Sequence, residues 1–308
     1  MSDSEEIATQ TPEKKAKPAS LAGDAIRDLR KRPTVIFSII MLIPIVLIAF
    51  FPSLFTNTNP KDCSIGMAKK GPEDGHPFGF SAEGCDYYAQ TIYGAGPSVQ
   101  LSLLVVIGTL VVGGLLGILA GYYGGIIDTI FSRAVDTFNS IPFLLGALLL
   151  LSMFRDLPMG NIPQRLAAIL PAVAVLILFG WTSTMRLIRA SVLESRNLDY
   201  VQAARSLGAT NSRIMFRHIL PNAMAPVMSL VPMTIAGMIS AEATLSFLGV
   251  GVQKPEITWG IMISDATPHF TAGYPLLLII PSVFLVVTVL SFVLLGDAIR
   301  DALDPKLR

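Results

Sequence analysis

The sequence predicts an all-α membrane protein with six transmembrane helices and one long water-facing loop. Three observations carry this reading. Of 308 residues, 52% are hydrophobic and only 15% charged, with a mean hydropathy of +0.60, a balance that soluble domains rarely reach. The apolar residues gather into six runs, and a bilayer core is crossed by ~20 residues of helix. The charged residues gather between those runs, above all in 185–221, a basic stretch that must face water on one side of a bilayer.

In chain order, the tail MSDSEEIATQTPEKKAKPAS is polar and mixed in charge, with the composition of a disordered segment. It has no secretory signal, so the first apolar run is expected to act as its own insertion signal. Residues 21–32 place Leu21, Ala25, Ile26 and Leu29 on one helical face with basic residues opposite. An interfacial helix on an anionic leaflet and a solvated lead-in helix both fit this pattern. The first span is read at 34–55, with Pro44 as a kink site. The hydrophilic stretch 56–95 holds Cys63 and Cys85, the only two cysteines; two in one loop of an oxidising compartment favour a disulfide over free thiols. The second span, 99–123, carries Gly113, Gly117 and Gly121 on one face. Such a stripe lets two helix backbones approach closely, against either an internal partner or another subunit. A short loop with Asp128, Arg133 and Asp136 leads to a third span at 138–154, which has Asn139, Ser140 and Pro142 near its start. The fourth, 166–184, contains Pro171; the fifth, 223–245, contains Pro226 and Pro232; the sixth is read at 274–295. Broken spans favour a transporter over a simple anchor, because freed carbonyls need neighbours or a watery cavity. Asn139, Ser140, Thr182, Ser183, Ser229 and Thr234 are candidate pore-lining residues.

Within 185–221 the residues predict helix, turn, helix. Asp199 is placed to cap a first helix running through Val201 to Leu207, and Gly208 to end it in the left-handed conformation. Thr210 or Asn211 then caps a short second helix in which Ile214, Met215 and Phe216 stand among Arg213, Arg217 and His218.

The spacing of Ala203, Ala204, Gly208, Ile219, Leu220 and Pro221 resembles the Glu-Ala-Ala loop of ABC importer permeases, and within them the C-type subunit of the dipeptide and oligopeptide (nickel) group. Further on, Glu242, Leu245, Ser246, Phe247, Leu248, Gly249, Gly251, Pro255, Trp259 and Gly260 stand where that group has them, and the ending DAIRDALDPKLR is similar too. The chain departs from the group at Gln202, where Glu is usual, and at Gly79-Phe80-Ser81 and Gly84-Cys85-Asp86, which replace Gly-Thr-Asp and Gly-Arg-Asp. The resemblance implies the type I importer permease fold: a cytoplasmic tail and interfacial helix (1–33), a six-span permease domain (34–297) and a cytoplasmic C-terminal tail (298–308). It implies that 185–221 is the coupling loop docking on an ATPase subunit, through Gln202, Ala203, Ala204, Gly208, Arg213, Ile214, Met215, Phe216 and Arg217. On this reading the apolar trio fills the ATPase groove and the arginines meet its acidic rim. The implied partners are a homologous second permease, two ABC ATPase subunits that hold ATP and Mg, an extracytoplasmic substrate-binding protein and a peptide substrate. On the same reading, this chain itself is expected to hold no cofactor and no metal.

Of the 23 Lys and Arg residues, 17 fall on the side of the tails and the 185–221 loop. That positive-inside bias places the loop and both termini in the cytoplasm of a bacterial plasma (inner) membrane, among lipid. No Gly-rich loop ending in Lys-Ser or Lys-Thr occurs, so ATP hydrolysis is not expected in this chain. His76, His218 and His269 lie apart, without metal-ligand spacing. The spans hold no nucleophile elbow, so the chain is not expected to be an enzyme, and near-neutral charge argues against nucleic acid. Glu242 has two readings: an outer gate, or an interfacial anchor for the turn from Ser246 to Gly251. The alternative function, an ion-gradient-driven secondary transporter or channel, would show inverted repeats and buried coupling charges, and neither is evident.

Overall fold

The computed structural model describes Leu29 and residues 32–154 and 162–303. The N-terminal tail and almost all of the lead-in helix read at 21–32 lie outside these residues. Among the described residues, nine α-helices of eight residues or more follow one another: α1 Pro33–Phe50, α2 Tyr87–Tyr123, α3 Gly125–Ser140, α4 Phe143–Phe154, α5 Gln164–Ser195, α6 Asp199–Ser206, α7 Leu220–Phe247, α8 Trp259–Phe270 and α9 Pro275–Leu303. Five of these, α1, α2, α5, α9 and the Pro226–Phe247 part of α7, are long and apolar enough to cross a membrane, and the bent pair α3–α4 makes a sixth. The best-covered window among them is only 44% buried inside the chain. Ile40, Ile43, Leu149 and Val286 stand outward, as a lipid solvent permits and water would not.

The central pair is α2 against α5, and the glycine stripe makes it. A Cβ on Gly113 would lie 2.6 Å from the Trp181 carbonyl oxygen, one on Gly117 2.8 Å from that of Met185, and one on Gly121 2.7 Å from Val192 Cβ. The stripe's partner is therefore internal, and a side chain at any of the three would push the two helices apart. Towards the end of the bundle that carries the 56–95 loop, Ile92, Val99, Trp259 and Leu277 draw α2, α8 and α9 together. Towards the other end, Ile118, Ile188, Val192, Val201, Ile214 and Ile219 form a second core under the water-facing loop.

Several expected boundaries move. α2 begins at Tyr87, well before 99, because Asp86 caps it by accepting from Ala89 N at 2.9 Å. The first span ends at Phe50, where Pro52 opens a 3-10 turn. The largest correction concerns residues 125–154. The stretch read as a loop before the third span is helix α3, and the span itself breaks at Ile141–Pro142 with a bend of 88°. Pro142 lacks an N–H and disfavours helical backbone in the residue before it, so Ile141 is extended at φ −84°, ψ 121°. Helix α8, capped by the Thr258 hydroxyl accepting from Ile261 N, had no assignment in the sequence reading.

Candidate coupling surface and outer brace

The loop between α5 and α7 starts from a braced base. Arg189 grips the Asp128 carboxylate of α3, with Nη2 2.6 Å from Oδ2, and Arg196 donates to the Gly121 carbonyl at 3.1 Å. Helix α6 follows. Its N-cap is Leu198, and Asp199 is the first helical residue, without a capping bond. This corrects the expected Asp199 cap: the carboxylate sits one position too late to reach the free amides, and only favours the positive end of the helix. The helix stops at a Schellman turn, in which Gly208 N donates to Arg205 O at 3.0 Å and Ala209 N to Ala204 O at 3.1 Å. Gly208 has φ +79°, with open space where a Cβ would be. Backbone conformation, not crowding, is what selects glycine here.

Thr210 then accepts from Arg213 N at 3.4 Å and starts a single helical turn, Asn211–Arg213. It runs without interruption through a π-helical turn, Ile214–Ile219, into α7. Of the residues read as docking, Gln202, Ala203, Gly208, Arg213, Phe216 and Arg217 are exposed and Ala204 is half-buried. Ile214 and Met215 are not available: they are 0% and 4% exposed, packed with Ile118, Ile188 and Val201 of their own chain. The expectation that they fill a partner's groove is corrected accordingly. The wider π turn swings both inward, and leaves Phe216 at 47% exposure as the outward member of the trio. Sequence reasoning missed Leu207, which is 89% exposed on the tip beside Gly208. A leucine directly before a helix-ending glycine was the available signal. Tyr122 OH donates to Asn211 Oδ1 at 2.8 Å, and Asn222 Nδ2 bridges to Tyr200 OH at 3.0 Å. These bonds tie α6 to α7 and the Asn211–Arg213 turn to α2.

On the opposite side, Glu242 is 1% exposed near the end of α7. Ser246 Oγ donates to its Oε1 at 2.7 Å and accepts from Val252 N at 3.1 Å. The turn after α7 is thus held through the serine, and not by the carboxylate bonding amides directly. The hydroxyls of Ser98 on α2 and Thr258 at the start of α8 lie near the carboxylate, but Ser98 Oγ and Glu242 Oε2 have no hydrogen-bond partner among the described residues. A Cβ on Gly260 would meet Ala243 O at 2.7 Å, so α8 sits directly on α7 at this joint.

Above it, Cys63 and Cys85 are joined in a disulfide. Asp86, in the segment that departs from the resemblance, takes a bond from His76 Nδ1 at 2.6 Å besides capping α2. The disulfide loop and α8 enclose a cavity of about 470 Å³, open to the outside, with Tyr87, Ile261 and Met262 in its lining. Lys254 spans its rim, 3.0 Å from Asp265 and 3.3 Å from Glu83. Partial burial lowers the Lys254 pKa, but the bonds to these carboxylates outweigh it and hold the ammonium above the ordinary lysine value.

Fold and site together define a polytopic helical membrane protein that carries a braced, exposed helical tip on one side and a stapled cavity on the other. The chain belongs to the family described as binding-protein-dependent transport system inner membrane component, which matches residues 113–308. It is similar to the oligopeptide transport system permease protein OppC of Bacillus subtilis (strain 168), 35% identical over 292 residues covering 95% of this chain and 92% of that one. It is also similar to the dipeptide transport system permease protein DppC of Alkalihalophilus pseudofirmus, 34% identical over 92% of this chain and 90% of that one. Among solved structures, a chain of the MetNI methionine ABC transporter in inward-facing conformation matches 70% of this chain and 96% of its own length, with a TM-score of 0.54 at 21% identity. That likeness shows the fold of an ABC importer permease. The protein is thus a multi-pass inner-membrane component of a transporter and not an enzyme.

Proposed function

We propose that this chain forms half of the path by which an ATP-driven importer carries peptides across a bacterial inner membrane. The other half is a homologous permease. Two ATPase subunits, holding ATP and Mg, dock on the permease pair, and one of them engages the tip made by Gln202, Ala203, Ala204, Leu207 and Gly208, with Phe216, Arg213 and Arg217 alongside. That tip and both termini lie in the cytoplasm, and an extracytoplasmic binding protein delivers the peptide to the stapled side. The observation that carries this reading is the tip itself: an exposed leucine on a glycine-terminated helix whose inner face, through Val201, is built into the core of the spans. A push on such a tip moves the spans, because its base has no slack. Peptides are the proposed cargo because the similar permeases are named for oligopeptide and dipeptide transport. Glu242 is proposed to brace the outer gate by locking α8 to α7 and α2.

Proteoliposomes holding the chain with its permease and ATPase partners test the reading. Uptake of labelled dialanine is expected to require the binding protein and lumenal ATP, and to survive ionophores that collapse ion gradients. Uptake that follows an ion gradient without ATP would contradict it.

A further inference from the structure

The break between α3 and α4 lies against the middle of α5. Phe138 and Phe143, on either side of it, both stand edge-on to Phe179, and Thr182 Oγ1 donates to Asn139 Oδ1 at 3.1 Å. Helix α5 has 32 residues, about 48 Å of length against a core of ~30 Å. Thr182 is about 20 Å from its Ser195 end, so it lies at the hydrocarbon edge if the excess length projects wholly on that side and deeper if the excess is shared between the two sides. An open helical ladder is tolerated at such depth only where it is covered by protein or lines water.

What surrounds the break is polar and uncovered. Asp136, Asn139 and Ser140 of α3 and Ser183 and Arg186 of α5 are all exposed. Arg186 Nη2 donates to Asp136 Oδ1 at 2.8 Å, and both side chains are more than half exposed. A half-exposed ion pair beside a broken helix does not face lipid tails. It offers an anionic acceptor and a cationic donor side by side, the complement of a peptide's backbone N–H and C=O or of its charged ends, whatever its side chains.

We propose that this strip lines the aqueous path and binds the backbone of a short peptide in transit, Arg186 donating to a peptide carbonyl or carboxylate and Asp136 accepting from a peptide N–H or ammonium. The assignment rests on the peptide-importer reading above. Because both native cysteines are bonded to each other, Ser140→Cys and Ser183→Cys each introduce this chain's only free thiol, and Leu149→Cys, on the 67% exposed outer face of α4, serves as the lipid-facing control, with label read on this chain. In proteoliposomes of the full complex, a charged methanethiosulfonate is expected to label Cys at 140 and 183 at least tenfold faster than at 149. Dialanine delivered by the binding protein is expected to slow that labelling severalfold. Labelling no faster than at 149 would place the strip against lipid or a partner subunit and overturn the proposal, as would fast labelling that dialanine leaves unchanged. ATP-driven dialanine uptake by vesicles of the unsubstituted complex reports separately on the importer reading.

Discussion

Glu242 brings together three elements that diverge elsewhere. Glu242 and Ser246 are buried at 1% and 2% exposure, so removing the carboxylate leaves the Ser246 hydroxyl without its acceptor, at a cost of about 1–3 kcal/mol. Glu242→Leu is expected to lower the melting temperature of the solubilised protein, while Glu242→Gln, which keeps an acceptor, restores most of it. Equal losses in the two variants would mean that the hydrogen bond to Ser246 contributes nothing. Asp86 and the cysteines form the second residue-scale device. The disulfide closes a loop with a sequence separation of 22, which the chain-entropy relation values at ~3 kcal/mol. Peptides from unreduced membranes are expected to contain the two cysteines joined, and the Cys63→Ser, Cys85→Ser variant to expose the 56–95 loop to protease. Two freely alkylated thiols in fresh membranes would contradict this.

The segment from α6 to the π turn divides its apolar residues between two tasks, and the division is testable. Ile214 fills the chain's own core, so Ile214→Ala is expected to cost about 2–4 kcal/mol as a cavity. Leu207 touches open space, so Leu207→Ala is expected to leave stability within about 0.5 kcal/mol while weakening binding of the ATPase subunit in a pull-down. The opposite pattern would restore the reading in which Ile214 docks. This segment also shows what was legible in the sequence. The Gly208 turn and the Thr210 cap were readable because each follows from local backbone chemistry. Which of Ile214, Met215 and Phe216 faces outward was not, since a π turn changes the angular step between residues and only packing against Ile118 and Ile188 selects it. The glycine stripe was legible as a close contact but not as a contact with α5. The α3–α4 break hid in an apolar run that Pro142 alone interrupts, and hydropathy does not register an 88° bend.

At the scale of the molecule, basic residues crowd one end of the bundle and the stapled loop caps the other. Single cysteines at Ser195 and Thr271, in a background lacking the native pair, are expected to differ towards an impermeant thiol reagent on intact cells: Thr271→Cys labels and Ser195→Cys does not. The reverse would place the α6 tip outside, away from ATP. The α6 tip, turned by Gly208, is proposed to transmit ATPase movement to the spans. A β-branched residue forced to φ +79° is strained by about 1–2 kcal/mol, enough to re-aim Leu207 without unfolding a bundle held elsewhere. The most direct measurement is substrate-stimulated ATP hydrolysis by the reconstituted complex carrying Gly208→Val, with assembly checked by size-exclusion chromatography. The complex is expected to assemble with basal hydrolysis that no longer responds to peptide-loaded binding protein; stimulation at the unsubstituted level in the assembled variant would show that the Gly208 turn takes no part in coupling.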